Sequence, residues 1–207
     1  FSEKGLMGPL SIYLINKVFS DIQSRFSKLE GIEKIGINLS YQELVNSSFV
    51  HEICDLLEFY QIDPGLIEID LVESQELRNI SRLNESLYFL KKKGLQFALD
   101  DFCTGCSCLS HLRVLDVDTI KIYRSFVTDI DRNERDFMIV ESLVNIAKRL
   151  GIETVIEGIE NLKQLDKVKQ LEPDYIQGYF YAQPMTLLSL IEFNGKLSTI
   201  NLTVYAL

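Results

Sequence analysis

Strand-like and helix-like segments alternate along almost the whole chain, and this alternation limits the fold more than any other feature of the sequence. Apolar residues recur at helical spacing in GPLSIYLINKVFSDIQSRF (8–26), and Pro9 suits a first turn. KIGINLS (34–40) has strand character, and SYQE (40–43) is a capping-box pattern that opens the next helical stretch. LIEIDLVES (66–74) is strand-like, and NESLYFLKKKG (84–94) reads as a helix closed by Gly94. LQFALDD (95–101) and DTIKIY (118–123) read as strands, followed by the amphipathic helix ERDFMIVESLVNIAKRLG (134–151) with its own terminal glycine. IETVIEG (152–158), NLKQLDKVKQL (161–171) and DYIQGYF (174–180) continue as strand, helix and strand, and a short helix closes the series near 186–194. The lysines at 91–93 read as a solvated helix end.

Strict alternation implies a parallel sheet covered by helices. A doubly wound open sheet and a (β/α) barrel both satisfy it. Strand ends distinguish them. Asn38 follows the first strand, Asp70 and Glu73 end the second, and Asp100 and Asp101 end the third. Lys121, Glu157 and Gln177 fall near the ends of the fourth, fifth and sixth. An open sheet gathers ligands at one switch point, whereas a barrel brings every carboxyl end into one ring. The pattern favours the barrel. A complete barrel has eight strands and about 250 residues. The 207 residues here supply six strands and open directly on a helix. The expectation is a single TIM-like barrel domain spanning 1–207, lacking its first one or two strands.

Charge narrows the function. The formal net charge of −9 disfavours binding to nucleic-acid polymers or anionic membranes, which requires a basic face. No apolar run approaches the ~18 residues of a membrane span, and no leader pattern stands at the start. Four cysteines, three of them crowded at 103, 106 and 108, do not resemble a secreted disulfide framework, so a reducing cytosol is the expected setting.

The ring of strand ends is rich in oxygen donors: Asn38, Asp70, Asp100, Asp101 and Glu157. The chain has only two histidines, so the donor set suits Mg²⁺ or Mn²⁺ rather than zinc. Two such ions would clamp a phosphodiester and activate a water, reversing the local field for an anionic substrate. Lys121 would neutralise a phosphate oxygen or orient the water, and Glu157 would serve as ligand or general base. Each residue alone has a plainer reading. Asp100 and Asp101 suit a helix cap, Asn38 suits a turn, Lys121 a solvated strand end, and Glu157 an ion pair. Three crowded thiols offer another metal site, but Cys54 and the two histidines stand in no familiar zinc spacing. Buried or half-buried free thiols are the expectation.

The motifs NLS (38–40), IEIDLVES (67–74), ALDDFCTGCSCLSHL (98–112), IKIY (120–123), VIEGIEN (155–161) and IQGYFYAQP (176–184) follow in the order and spacing of EAL-type cyclic-di-GMP phosphodiesterases. This resemblance runs from about residue 1 to 190. It implies a bacterial, cytoplasmic (β/α)₈ barrel that hydrolyses cyclic di-GMP to linear pGpG with two Mg²⁺ or Mn²⁺ ions. By the same resemblance, Asn38, Asp70 and Asp100 match metal ligands and Asp101 the acid shared between the ions. Lys121 matches the active-site lysine and Glu157 the general base. Glu160 matches the glutamate bracing the loop after the paired aspartates, and Gln177 the glutamine near the attacking water. The resemblance further implies a two-fold homodimer formed through the 101–110 loop and the 134–149 helix, and attached sensory or GGDEF-type domains.

Four departures stand out. The Glu-Ala-Leu segment that names the family is not among these residues. Asp70 replaces a usual glutamate, and Tyr123 a usual aspartate. Cys103, Cys106 and Cys108 replace a glycine, a tyrosine and a serine. Loss of the glycine matters if the backbone at 103 needs a positive φ. Two functions follow: a phosphodiesterase, or a degenerate domain that binds cyclic di-GMP or a protein without hydrolysis. On the first, residues 1–207 alone are expected to turn over poorly.

Overall fold

The structure is a computed structural model, and it describes residues 7–25, 31–72, 79–103, 108–194 and 202–206. Glu73 and Cys106 lie outside them. The elements begin with α1 (Met7–Arg25), β1 (Ile32–Leu39), α2 (Tyr41–Leu44), α3 (Ser47–Tyr60), β2 (Ile67–Val72) and α4 (Ile80–Lys93). Next come β3 (Gln96–Phe102), α5 (Cys108–Val114), β4 (Thr119–Ile122), α6 (Glu134–Leu150) and β5 (Glu153–Ile156). The chain closes with α7 (Leu162–Lys169), β6 (Tyr175–Ile176), α8 (Leu187–Asn194) and β7 (Leu202–Ala206). The chain forms two compact units: residues 1–71, 77–96 and 185–207, and residues 72–76 and 97–184.

In the first unit β1 lies between β2 and β7, and both pairings are parallel. Alternation sorts the strand residues by face. Ile37 and Leu39 of β1 and Ile67 and Ile69 of β2 meet Ile15 and Phe19 of α1 and Ile53 of α3 in one apolar cluster. The opposite face carries Lys34 and Glu68, buried together with 3.2 Å between Nζ and Oε1, and further along Asn38 opposite Asp70. The helix signals read from sequence hold. Ser40 and Glu43 form the capping box of α2, and Gly94 ends α4 at φ +104. β7 has no counterpart in the sequence reading, because its five residues offer too short a pattern to separate a strand from coil.

In the second unit β3, β4, β5 and β6 pair in that order, all parallel. Ile120, Ile122 and Ile156 are fully buried, as are Val140 and Ala147 of α6. Acids near the amino ends of these strands are structural. The Asp118 carboxylate accepts from the Phe97 amide at 2.9 Å, and Asp174 accepts from the Thr154 amide and hydroxyl at 2.8 and 2.9 Å. Each satisfies a backbone donor that the ladder leaves over. The acids at the carboxyl ends are arranged differently.

Candidate active site

Register places the site residues. Ala98 pairs with Thr119, Lys121 with Val155, and Val155 with Tyr175. Paired residues share a face, so the residues two positions on share it too: Asp100, Lys121, Glu157 and Gln177. Asp100 and Lys121 lie within the last three residues of β3 and β4, and Glu157 and Gln177 directly follow β5 and β6.

Asp101 should then point away, as the neighbour of Asp100 in a regular strand. A bulge changes this. Leu99 pairs with Ile120 and Phe102 with Ile122, so two residues of β3 face the single residue Lys121 of β4. Asp101 adopts φ +53, a left-handed conformation that aspartate tolerates better than most side chains. Its amide donates to Asp100 Oδ1 at 2.9 Å. The outcome is convergence: Asp100, Asp101 and Glu157 each offer a carboxylate oxygen, and the three atoms lie within 4.8 Å of one another.

Lys121, 3% exposed, holds this cluster together. Its ammonium lies 3.3 Å from Asp100 and 3.2 Å from Glu157. Burial pushes the Glu157 carboxyl above its ordinary range, with Asp100 and Asp101 adding to the rise and Lys121 opposing it. Asp101 is raised for the same first reason, with Asp100 second. Lys121 and, more weakly, Arg124 act on these acids, which leaves the cluster short of positive charge. Gln177 contributes a buried Oε1 with no hydrogen-bond partner among the described residues.

Two glycines set the loops that carry these groups. Gly158 sits at φ +80, and a Cβ there would lie 2.3 Å from Cβ of Arg124. A Cβ on Gly178 would lie 2.0 Å from the Ile159 carbonyl oxygen. Backbone bonds lock the same segments: the Ile159 amide donates to the Gln177 carbonyl at 3.1 Å and the Gln177 amide to Ile156 at 2.9 Å. Sequence reasoning passed over both glycines, although EG and QG directly after a polar strand end carry the signal.

The remaining candidates are placed as follows. Asn38 is exposed and Asp70 fully buried, opposite one another in the first unit. Glu160 is exposed on the loop after β5; its amide donates to Gln164 and its charge acts on Arg124. Tyr123 is half-buried, with the Arg124 guanidinium 6.0 Å from its ring centre. Cys54 is a free, buried thiol. Cys103 differs from expectation: it is disulfide-bonded, at φ +70. The backbone there does adopt the conformation that favours glycine.

The fold superposes on the EAL enzyme Bd1971 in its cAMP- and cyclic-di-GMP-bound form with a TM-score of 0.85, at 24% identity over 92% of this chain and 52% of that one. On the EAL domain of Mycobacterium smegmatis DcpA the TM-score is 0.82, at 27% identity over 87% of this chain and 82% of that one. These likenesses identify the parallel α/β architecture as that of EAL barrels. Among curated proteins, the probable cyclic di-GMP phosphodiesterase PdeG of Escherichia coli K12 is 34% identical over 92% of this chain. The cyclic di-GMP phosphodiesterase NbdA of Pseudomonas aeruginosa is 30% identical over 91%. The chain spans 38% of the first and 24% of the second. The EAL domain family model matches residues 1–184, and with that match added to the shared architecture and strand-end motifs, the chain belongs to the EAL domain family.

Proposed function

We propose that this chain forms the catalytic site of a metal-dependent phosphodiesterase that hydrolyses cyclic di-GMP to the linear dinucleotide. The observation that carries the proposal is the convergence of Asp100, Asp101 and Glu157 beside Lys121. The donor set fits a hard divalent ion: the atoms are all oxygens, no histidine joins them, and the orphaned Gln177 Oε1 is a further oxygen. Asp100 and Asp101 would hold Mg²⁺ or Mn²⁺. The chemistry such ions supply when bound is neutralisation of the diester charge and acidification of the attacking water.

The protein's own groups do the rest. Glu157 accepts the proton of the attacking water, and its raised pKa makes it a stronger base than an exposed glutamate. Lys121 holds Glu157 and Asp100 at fixed separation and presents an ammonium to a phosphate oxygen. Gln177 orients the water through its free carbonyl oxygen.

The test uses the full-length protein that carries this chain, incubated with cyclic di-GMP and Mn²⁺, with products separated by chromatography. Glu157→Gln removes the base and keeps the shape. It should retain nucleotide binding in titration calorimetry and lose roughly a hundredfold or more in turnover. Binding without hydrolysis in the wild type, across a range of Mn²⁺ concentrations, would replace the enzyme with a receptor.

A further inference from the structure

The chemistry proposed above neutralises one phosphodiester, whereas cyclic di-GMP carries two, each with a negative charge. Lys121 is already engaged, buried between Asp100 and Glu157. Another cation stands nearer to solvent. Tyr123 follows β4 in an extended conformation, so it shares a face with Lys121 one rung closer to the carboxyl end. Lys121 pairs with Val155 and Ile122 with Ile156, and the Glu157 amide donates to the Ile122 carbonyl at 3.1 Å. The register thus sets Tyr123 opposite Glu157. Arg124, the next residue, is exposed but not loose. Its guanidinium lies 6.0 Å from the Tyr123 ring centre and takes the Tyr123 side chain as hydrogen-bond partner. Glu160 and Tyr179 act on it from the loops after β5 and β6. Its stem packs on Gly158, beside Glu157, where a Cβ would come within 3.1 Å of the Arg124 Cα. A guanidinium only donates, so the phenol oxygen is the acceptor of that bond, and the phenol O–H is left to donate outward. Two donor groups side by side suit the two non-bridging oxygens of a phosphodiester.

We propose that Tyr123 and Arg124 anchor the second, non-reacting phosphodiester of a cyclic dinucleotide, and so select a substrate with two phosphates over one with a single diester. The inference rests on the phosphodiesterase reading and adds its substrate selection. Arg124 supplies the charge, and Tyr123 fixes the guanidinium and donates a further hydrogen bond. In a protein of net charge −9 this cation must be held in place, because the long-range field repels the ligand. The contacts to Tyr123, Glu160, Tyr179 and Gly158 hold it. The anchor acts in the ground state and in the transition state alike, so its loss is read in KM rather than in kcat.

The test compares two substrates on the full-length protein in Mn²⁺: cyclic di-GMP, and bis-para-nitrophenyl phosphate, a diester with one charge. The quantity read is the ratio of their kcat/KM values, which does not depend on how much of a variant is folded. Arg124→Gln should lower that ratio by about tenfold or more, through a raised KM for cyclic di-GMP. Tyr123→Phe keeps the ring and removes the O–H, and should lower it by about threefold to tenfold. Arg124→Lys keeps the charge and loses the fork, and should fall between Arg124→Gln and wild type. An unchanged ratio in both Arg124→Gln and Tyr123→Phe would overturn the proposal. So would a loss carried wholly by kcat, which would place the pair at the reacting centre instead. Failure of the wild type to hydrolyse either substrate would overturn the phosphodiesterase reading, and calorimetry would then decide the anchor on its own. Cyclic di-GMP affinity lowered about tenfold in Arg124→Gln would keep the anchor; equal affinity, or no binding to either protein, would overturn it.

Discussion

Neighbouring side chains in a regular strand leave on opposite faces, so two adjacent aspartates serve one site only where the backbone departs from regularity. At Asp100 and Asp101 the departure is a single extra residue opposite Lys121 and one positive φ. The second consequence at this scale is electrostatic. Burial raises the folded-state pKa of Glu157 above the ordinary value of 4.5 despite the nearby lysine. The folded protein then binds that proton more tightly than the unfolded chain. Its contribution to stability is complete below the unfolded pKa and is lost as pH rises through the raised folded pKa. Glu157→Gln removes the titration. With a chelator present, urea unfolding at about pH 4.5 and about pH 7.5 should show the variant gaining stability relative to wild type at the higher pH. A difference that does not change with pH would mean that burial does not disfavour this carboxylate.

At the scale of elements, the loops after β4, β5 and β6 are held by contacts that leave no room for a methyl group. Gly158→Ala meets both a positive φ and a Cβ–Cβ approach of 2.3 Å to Arg124. Left-handed strain and overpacking together should cost about 2–5 kcal/mol in urea unfolding and displace the adjacent Glu157, with a matching loss of turnover. Unchanged stability would show that Arg124 moves aside freely. These elements also show what is legible in the sequence. β1 to β6 and the longer helices follow from apolar periodicity, capping residues and terminal glycines, as at Ser40–Glu43, Gly94 and Gly151. Their polar ends, Asp100, Lys121, Glu157 and Gln177, follow from alternation counted along each strand. The bulge does not, because it is set by pairing between β3 and β4, and no local pattern reports a long-range register. The Cys103 bond is hidden for a related reason: composition suggests a compartment, whereas bonding depends on which thiols the fold brings together. The close approaches at Gly158 and Gly178 likewise arise only when distant loops meet.

At the scale of the whole molecule, a chain with net charge −9 is proposed to act on an anion. No helix among the described residues is long and apolar enough to cross a membrane. Long-range steering opposes a dinucleotide under these conditions, and the attraction must be generated locally. Lys121 and, more weakly, Arg124 face three acids, so bound cations are required. The measurement that tests this most directly is a Mn²⁺ titration by calorimetry on the full-length protein, wild type beside Asp100→Asn. The amide retains the shape and removes one charge from a site meant to hold two dications. The account predicts saturable binding to the wild type, affinity lowered by about tenfold or more in the variant, and partial recovery of turnover in excess Mn²⁺. Equal affinities in the two proteins, or no saturable binding to either, would contradict it.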